Sequence, residues 1–141
     1  MLVPKKVKYR KWQSHRKSDA RLAKPDTRGN TISFGSFALK AETPARVRSN
    51  QLESARKVMS RTLTKVGKFW IRVFPDRPIT RKPAEVSMGK GKGDLDGYCF
   101  EVRPGRIIFE VDGVSAEIAK EALRKAGTKL PVKTRIISRE S

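Results

Sequence analysis

The most distinctive local pattern is a run in which glycine and lysine alternate, from Gly89 to Gly93. Glycine lets a backbone approach phosphates closely, and lysine adds a compact positive charge. The spacing does not fit a Walker A loop, which needs four residues between its first glycine and the Gly-Lys-Ser/Thr end. The residues that follow, Asp94 to Gly97, do not open a convincing helix, so a phosphate cradle at a helix N-terminus is not expected. The pattern predicts an exposed loop able to touch a phosphate backbone.

Catalytic or metal-binding groups are the next possibility. Asp94 and Asp96 could supply two hard oxygen ligands to Mg²⁺, but the lysines beside them can simply neutralise their charge, and we prefer that interpretation. Cys99 and His15 are the single cysteine and the single histidine, which excludes an internal disulfide, a thiolate metal cluster and a Cys/His pair. We predict no catalytic residue, metal, cofactor or small-molecule substrate, and we interpret Cys99 as a buried strand residue.

Charge indicates the kind of partner. The 141 residues carry 33 Lys and Arg against 14 Asp and Glu, a net charge of +19. A folded domain gains nothing from this self-repulsion, so an anionic partner is implied. No apolar run approaches the roughly 20 residues that cross a bilayer, and the predicted helices carry core-type apolar faces. The composition favours nucleic acid over a membrane.

Residues 1–28 form a separate basic arm with ten basic residues, two acids and a net charge of +8. Their large apolar residues are few, so the arm should order on a polyanion rather than by itself. A transit peptide has a similar Arg- and Lys-rich composition. The arm has little amphipathic content, however, and we interpret it as a permanent RNA-binding segment.

Two helices are predicted. The first runs from Asn50 to Val66, with Asn50 and Glu53 resembling a capping box and Gly67 as a left-handed stop. The second is capped by Ser115 and runs to about Ala126. Its apolar stripe comprises Ile118, Ala119, Ala122, Leu123 and Ala126.

Strands are predicted from alternating apolar residues. The predicted strand segments are Thr31–Ala41 with a bend at Gly35-Ser36, Phe69–Phe74, Tyr98–Arg103 and Arg106–Val111 as a hairpin, and Val132–Ile137. Pro104-Gly105 fits the central pair of a type II turn. We expect a single α+β domain over 29–138, a mostly antiparallel sheet with two helices packed against it, an extended loop at 80–97 and a tail at 139–141.

Several motifs occur in a familiar order along nearly the whole chain. They are Met1-Leu2-Val3-Pro4-Lys5, Tyr9-Arg10-Lys11, Ser33 to Ala41, Gly67 to Pro75, Pro78-Ile79-Thr80, Lys82-Pro83, Met88 to Gly93, Pro104-Gly105, Asp112-Gly113-Val114 and Lys129 to Thr134. In these motifs the chain resembles the bacterial-type large-subunit ribosomal protein L-sixteen, a relative of the archaeal and eukaryotic L-ten-e. It departs from the family at Ser87, where Arg is usual, and at Tyr98, where Trp is common. It also has extra length between Lys17 and Asn30.

The resemblance implies a structural constituent of the large ribosomal subunit. Its expected partners are large-subunit rRNA near the A site, the acceptor arm of tRNA and neighbouring large-subunit proteins, and it is expected to support late subunit assembly. Its expected location is the ribosome of the cytoplasm, with an organellar ribosome left open. Two alternatives are a free RNA chaperone or ribosome assembly factor, and a phosphate-transfer enzyme that uses the glycine loop.

Two sets of site residues follow from the basic pattern and the resemblance. Predicted rRNA-binding residues are Lys5, Lys6, Lys8, Arg10, Lys11, Arg16, Lys17, Arg56, Lys57, Arg61, Lys65 and Arg72. Predicted residues of the loop near tRNA and the peptidyl transferase region are Arg81, Lys82, Ser87, Met88, Gly89, Lys90, Gly91, Lys92 and Gly93.

Overall fold

A computed structural model describes residues 1–13, 19–85, 89 and 91–139. Over these ranges the elements are α1 (Asp19–Ala23), β1 (Phe37–Ala41), β2 (Ala45–Arg48), α2 (Ser49–Leu63), β3 (Lys68–Ile71), β4 (Arg77–Arg81), β5 (Asp94–Val102), β6 (Ile107–Asp112), α3 (Ala116–Gly127) and β7 (Thr134–Ser138). The predicted α+β class is confirmed. None of the helices in these ranges is long and apolar enough to span a membrane.

The described strands form two antiparallel sheets rather than the one that was expected. The larger has the order β3-β6-β1-β7 and the smaller has the order β2-β5-β4. The predicted hairpin of β5 and β6 is therefore wrong, because these strands belong to different sheets. The predicted turn between them is present: Gly105 has a φ of +94°, and the Arg106 N–H donates to the Arg103 carbonyl at 3.2 Å. The turn thus forms a corner between the two sheets.

Helix α3 packs against β1, β6 and β7 of the larger sheet, and α2 packs against α3 and against β2 and β5 of the smaller sheet. The core lies between these helices and the two sheets. Leu39, Leu52, Met59, Phe109 and Leu123 are among its fully buried side chains. Burial of each large side chain is worth about 1.5–3 kcal/mol. The predicted cap of α3 is confirmed, since the Ser115 hydroxyl accepts from the Ile118 N–H. Ile118 itself is 44% exposed, so its assignment to the apolar stripe was wrong.

The ends of α2 differ from the prediction. The helix begins at Ser49, and the Arg48 N–H donates to the Gln51 side chain at 2.8 Å, which replaces the expected Asn50 and Glu53 pair. It ends at Leu63, followed by Thr64 with a φ of +55°. Gly67 is needed for space, because a Cβ there would lie 2.8 Å from the Val114 side chain.

Several strand limits also moved. β1 begins at Phe37 rather than Thr31, and β3 ends at Ile71 rather than Phe74. The predicted loop 80–97 is shortened to 82–93, because β4 continues to Arg81 and β5 begins at Asp94. Pro78 obscured β4 as a strand, but β4 lies at the edge of its sheet, where proline is tolerated. The loop therefore projects from a pair of adjacent strands.

Candidate nucleic-acid interface

The basic arm begins against α2. The Met1 ammonium lies 3.8 Å from a Glu53 carboxylate oxygen, and the Ser49 hydroxyl lies 3.4 Å from the Met1 sulfur. The side chains predicted to bind RNA then follow in the arm: Lys5, Lys6, Lys8 and Arg10 are exposed and Lys11 is half-buried. Arg16 and Lys17 lie outside the described residues. The start of the arm is therefore held against the helix.

The outer face of α2 carries two exposed cations, Lys57 and Arg61, and a third, Lys65, lies in the turn that follows the helix. Arg56 differs, because its guanidinium donates to the Glu53 carboxylate at 2.6 and 3.1 Å. This hydrogen bond raises the pKa of Arg56 and lowers the pKa of Glu53. Sequence reasoning missed the pair, although a spacing of three residues on a helix is a recognised signal. An outside anion must therefore compete with Glu53 for the Arg56 guanidinium.

The glycine-lysine loop has an open tip and a packed base. Gly89 and Gly91 have φ angles of +92° and +97°, and a Cβ added at either would meet no atom of the described chain within 4 Å. A Cβ at Gly93 would lie 2.7 Å from the Arg81 backbone. Of the remaining predicted loop residues, Arg81 and Lys92 are exposed and Lys82 is half-buried, while Ser87, Met88 and Lys90 lie outside the described residues.

The acidic residues next to the loop have basic partners. Asp96 lies 3.1 Å from Arg48 at the start of α2. Asp94 lies opposite Arg81 in the pairing of β4 with β5. For Asp96 the neutralising cation is thus an arginine of another element rather than a loop lysine. Cys99 is fully buried on β5, and burial raises the pKa of its thiol.

The arm also meets the loop. The Lys92 ammonium donates to the backbone carbonyl of Trp12. Because Met1 contacts α2 and Trp12 contacts the loop, the arm connects the basic helix to the glycine-lysine segment. The structure thus brings together the three basic features that were identified separately along the chain.

Arg103 and Arg106 bind the end of the arm at the corner between the two sheets. Neither residue was predicted from the sequence to have this role. Arg103 donates to the carbonyls of Lys24 and Pro25 at 3.0 and 3.1 Å. Arg106 donates to the Arg28 carbonyl at 3.2 Å and lies 3.6 Å from the Asp26 carboxylate. The guanidinium group suits this role because it offers five donors in a fixed plane. The partners are nearly 80 residues apart in sequence, and no local pattern links them.

Arg72 has an internal anion. Its guanidinium donates to one carboxylate oxygen of Glu110 and to the Thr31 carbonyl at 3.4 Å. Glu110 is fully buried, and its other oxygen accepts from the backbone N–H groups of residues 33–35 at 2.8 to 3.0 Å. Burial by itself raises the pKa of Glu110, but these hydrogen bonds and Arg72 together hold it below its usual value. An acid inside the apolar run of β6 was the signal for this site.

An exposed cationic arm, a cationic helix face and a glycine-lysine loop on a small α+β domain are the features of a protein that binds a polyanion. The chain matches the family described as ribosomal protein L16p/L10e over residues 4–137. It is 52% identical over 139 residues to a protein from Halorhodospira halophila named large ribosomal subunit protein uL16, with coverage of 99% of this chain and 98% of that protein. The chain belongs to this ribosomal protein family, and its role is structural and non-enzymatic, as part of the large ribosomal subunit.

Proposed function

We propose that this protein binds large-subunit rRNA near the A site through the arm and the outer face of α2, and that its loop helps to position the acceptor arm of tRNA. The observation that carries the proposal is the arm itself, which contacts α2 through Met1 and the loop through Trp12. The exposed cations of an arm that runs from the helix to the loop, on a chain of net charge +19, can bind a phosphate backbone along that path.

Within this surface the cations are unequal. Lys57, Arg61 and Lys65 are exposed, and a charge-assisted hydrogen bond from such a group to RNA contributes about 1.5–3 kcal/mol. Arg56 and Arg72 have carboxylate partners in the protein, and a phosphate must compete with those partners. We therefore assign most of the rRNA affinity to the arm and to Lys57, Arg61 and Lys65.

The loop serves a later step in this proposal. Its tip has the backbone freedom that close approach to RNA requires, since Gly89 and Gly91 occupy left-handed conformations in open space. Arg81, Lys82, Lys90 and Lys92 supply the charge. Ser87 contributes no charge, so a Ser87→Arg substitution should strengthen a tRNA contact that passes through this position. We expect the loop to act in tRNA accommodation and in late subunit maturation.

The experiment is to prepare ribosomes that carry the Lys90→Ala/Lys92→Ala protein and to measure tRNA binding at the A site. We expect weaker tRNA binding or delayed maturation with the protein still incorporated, because the substitution removes two loop cations and, at Lys92, the hydrogen bond to the Trp12 carbonyl. The matched control is Lys120→Ala/Lys125→Ala, which removes two exposed cations from α3. Unchanged tRNA binding together with unchanged maturation would contradict the role of the loop.

The alternative considered from the sequence, a free RNA chaperone or ribosome assembly factor, has no observation that favours it over a ribosomal constituent. Co-sedimentation separates the two functions. A structural constituent stays with large subunits through a high-salt wash, whereas a chaperone is released and is found with RNA that is still folding.

A further inference from the structure

The side chain of Phe34 lies unusually open for a large aromatic residue. It is 56% exposed, and its ring stacks on Trp70 with centroids 6.0 Å apart and planes 24° from parallel. The Arg72 guanidinium carbon lies 5.2 Å from the Phe34 centroid. Phe34 therefore presents a ring at the surface, supported by another aromatic ring and by a cation.

The backbone beneath this ring is firmly held. Glu110 accepts hydrogen bonds from the N–H groups of residues 33–35, which include Phe34 itself. Gly35 is pressed against β6, since a Cβ there would lie 2.7 Å from the Val111 carbonyl oxygen. A side chain on such a segment loses little conformational freedom when a ligand binds, so it is preorganised for contact.

The contacts to the Phe34 ring come from one extended segment. Trp70 and Arg72 are two residues apart on an extended stretch, so their side chains project to the same side. Both contacts to Phe34 therefore come from the side of the sheet. With 56% of the residue exposed, part of the ring surface stays open to a further contact.

We propose that Phe34 is a stacking site for one unpaired RNA base. This inference rests on the proposed rRNA binding and specifies one contact within it. Aromatic rings accept bases of any sequence because every base has a π face. The Arg72 guanidinium lies beside the ring but is paired with Glu110, so stacking on Phe34 rather than a new ion pair carries the contact. The adjoining Thr31 and Ser33 are exposed polar residues, which suits a nucleotide better than the broad apolar patch that an incoming protein side chain needs.

The test is a cycle of two changes, one in the protein and one in the RNA. The full-length protein and its Phe34→Ala variant are titrated with a short adenosine oligoribonucleotide and with an abasic oligomer of equal length. Stacking predicts that Phe34→Ala weakens binding of the adenosine oligomer by about 5- to 150-fold and leaves binding of the abasic oligomer unchanged. The slope of affinity against salt should stay the same, because the substitution removes no charge.

Two further variants separate stacking from packing. Phe34→Leu keeps an apolar cover over Trp70 but has no flat π face, so it should lose affinity as Phe34→Ala does while unfolding at nearly the wild-type temperature. Phe74→Ala, which alters another exposed aromatic residue, should leave binding unchanged. Equal losses on both oligomers, or full affinity of Phe34→Leu, would overturn the stacking site.

These outcomes leave the proposed function separately testable. If stacking fails but wild-type affinity for large-subunit rRNA falls steeply with salt, electrostatic rRNA binding stands without a base contact at Phe34. If wild-type binding to large-subunit rRNA is weak and insensitive to salt, the proposed function itself is overturned.

Discussion

Glu110 and Arg72 form an ion pair on the side of the larger sheet that faces away from the helices, with Glu110 fully buried and the Arg72 side chain 18% exposed. The same carboxylate binds the backbone of residues 33–35. One acidic side chain thus fixes both an arginine of the Trp70 segment and the stretch that leads into β1.

The first prediction concerns the stability of this arrangement. Glu110→Gln keeps the shape of the side chain but places an amide against the Arg72 guanidinium and removes the compensating charge. We expect a loss of about 3 kcal/mol in the free energy of unfolding, at the lower end for a broken buried pair because Arg72 can regain some water. Urea unfolding at neutral pH measures it. Glu117→Gln, an exposed change on α3, should stay within about 0.5 kcal/mol of wild type.

The second prediction is the pH dependence of that difference. Hydrogen bonds lower the pKa of Glu110 in the folded state despite the opposing effect of burial. A carboxyl with a lowered folded pKa stabilises the protein fully above its unfolded pKa, and this contribution is lost as the pH falls through the folded pKa. The stability difference between wild type and Glu110→Gln should therefore be constant above about pH 5 and shrink below about pH 4. A difference that grows on acidification would contradict the assignment.

The third prediction distinguishes glycines of the loop. Gly93→Ala places a methyl group against the Arg81 backbone, which is fixed by its pairing with β5, and should cost up to about 3 kcal/mol. Gly91→Ala meets open space and suffers only from its positive φ, at about 1 kcal/mol. Thermal unfolding should show a larger loss of stability for Gly93→Ala than for Gly91→Ala. If Gly91→Ala proves the more damaging, the loop base is not packed as described.

The fourth prediction concerns the arm. Deletion of residues 1–17 removes the exposed Met1 contact and the contact of Trp12 with Lys92, but it leaves Lys24 to Arg28 bound to Arg103 and Arg106. The shortened protein should unfold cooperatively, near the wild-type temperature.

Its binding to large-subunit rRNA should be less dependent on salt. Each lost cation that neutralised a phosphate lowers the log–log slope by about 0.7–0.9. Replacing Lys120, Lys125 and Lys129 with Gln is the control and should change the slope less. An unchanged slope after deletion would show that the arm does not bind the RNA.

Patterns among neighbouring residues were sufficient to predict those elements whose structure depends on neighbouring residues. Helix α3 was predicted closely because its cap, its apolar spacing and its final glycine lie within 13 residues. The partners of β5 and β6 were not predictable in this way, since alternation identifies a strand and its buried face but not its neighbour. The turn at Pro104-Gly105 was predicted correctly for the same reason as α3, because its conformation depends on these two adjacent residues.

The net charge of +19 predicted a polyanionic partner but not which cations face it. Arg77 shows the difficulty: it is buried on β4 and lies 2.7 Å from Glu101, a partner supplied by the neighbouring strand. Arg103 and Arg106 likewise serve backbone carbonyls far away in sequence. These assignments depend on tertiary contacts that residue type and spacing do not encode.

The contact between the end of the arm and the sheet corner joins two segments that are synthesised at different times. Lys24 and Arg28 leave the translating ribosome 79 and 78 residues before their partners Arg103 and Arg106. At about 5–20 residues per second, the interval is about 4–16 s. Throughout that interval the nascent basic segment cannot bind Arg103 or Arg106, because they have not been synthesised, and it can bind any nearby polyanion. Attachment of this segment to the domain therefore waits until Arg103 and Arg106 have been made, and an RNA that captures it early competes with the corner for it.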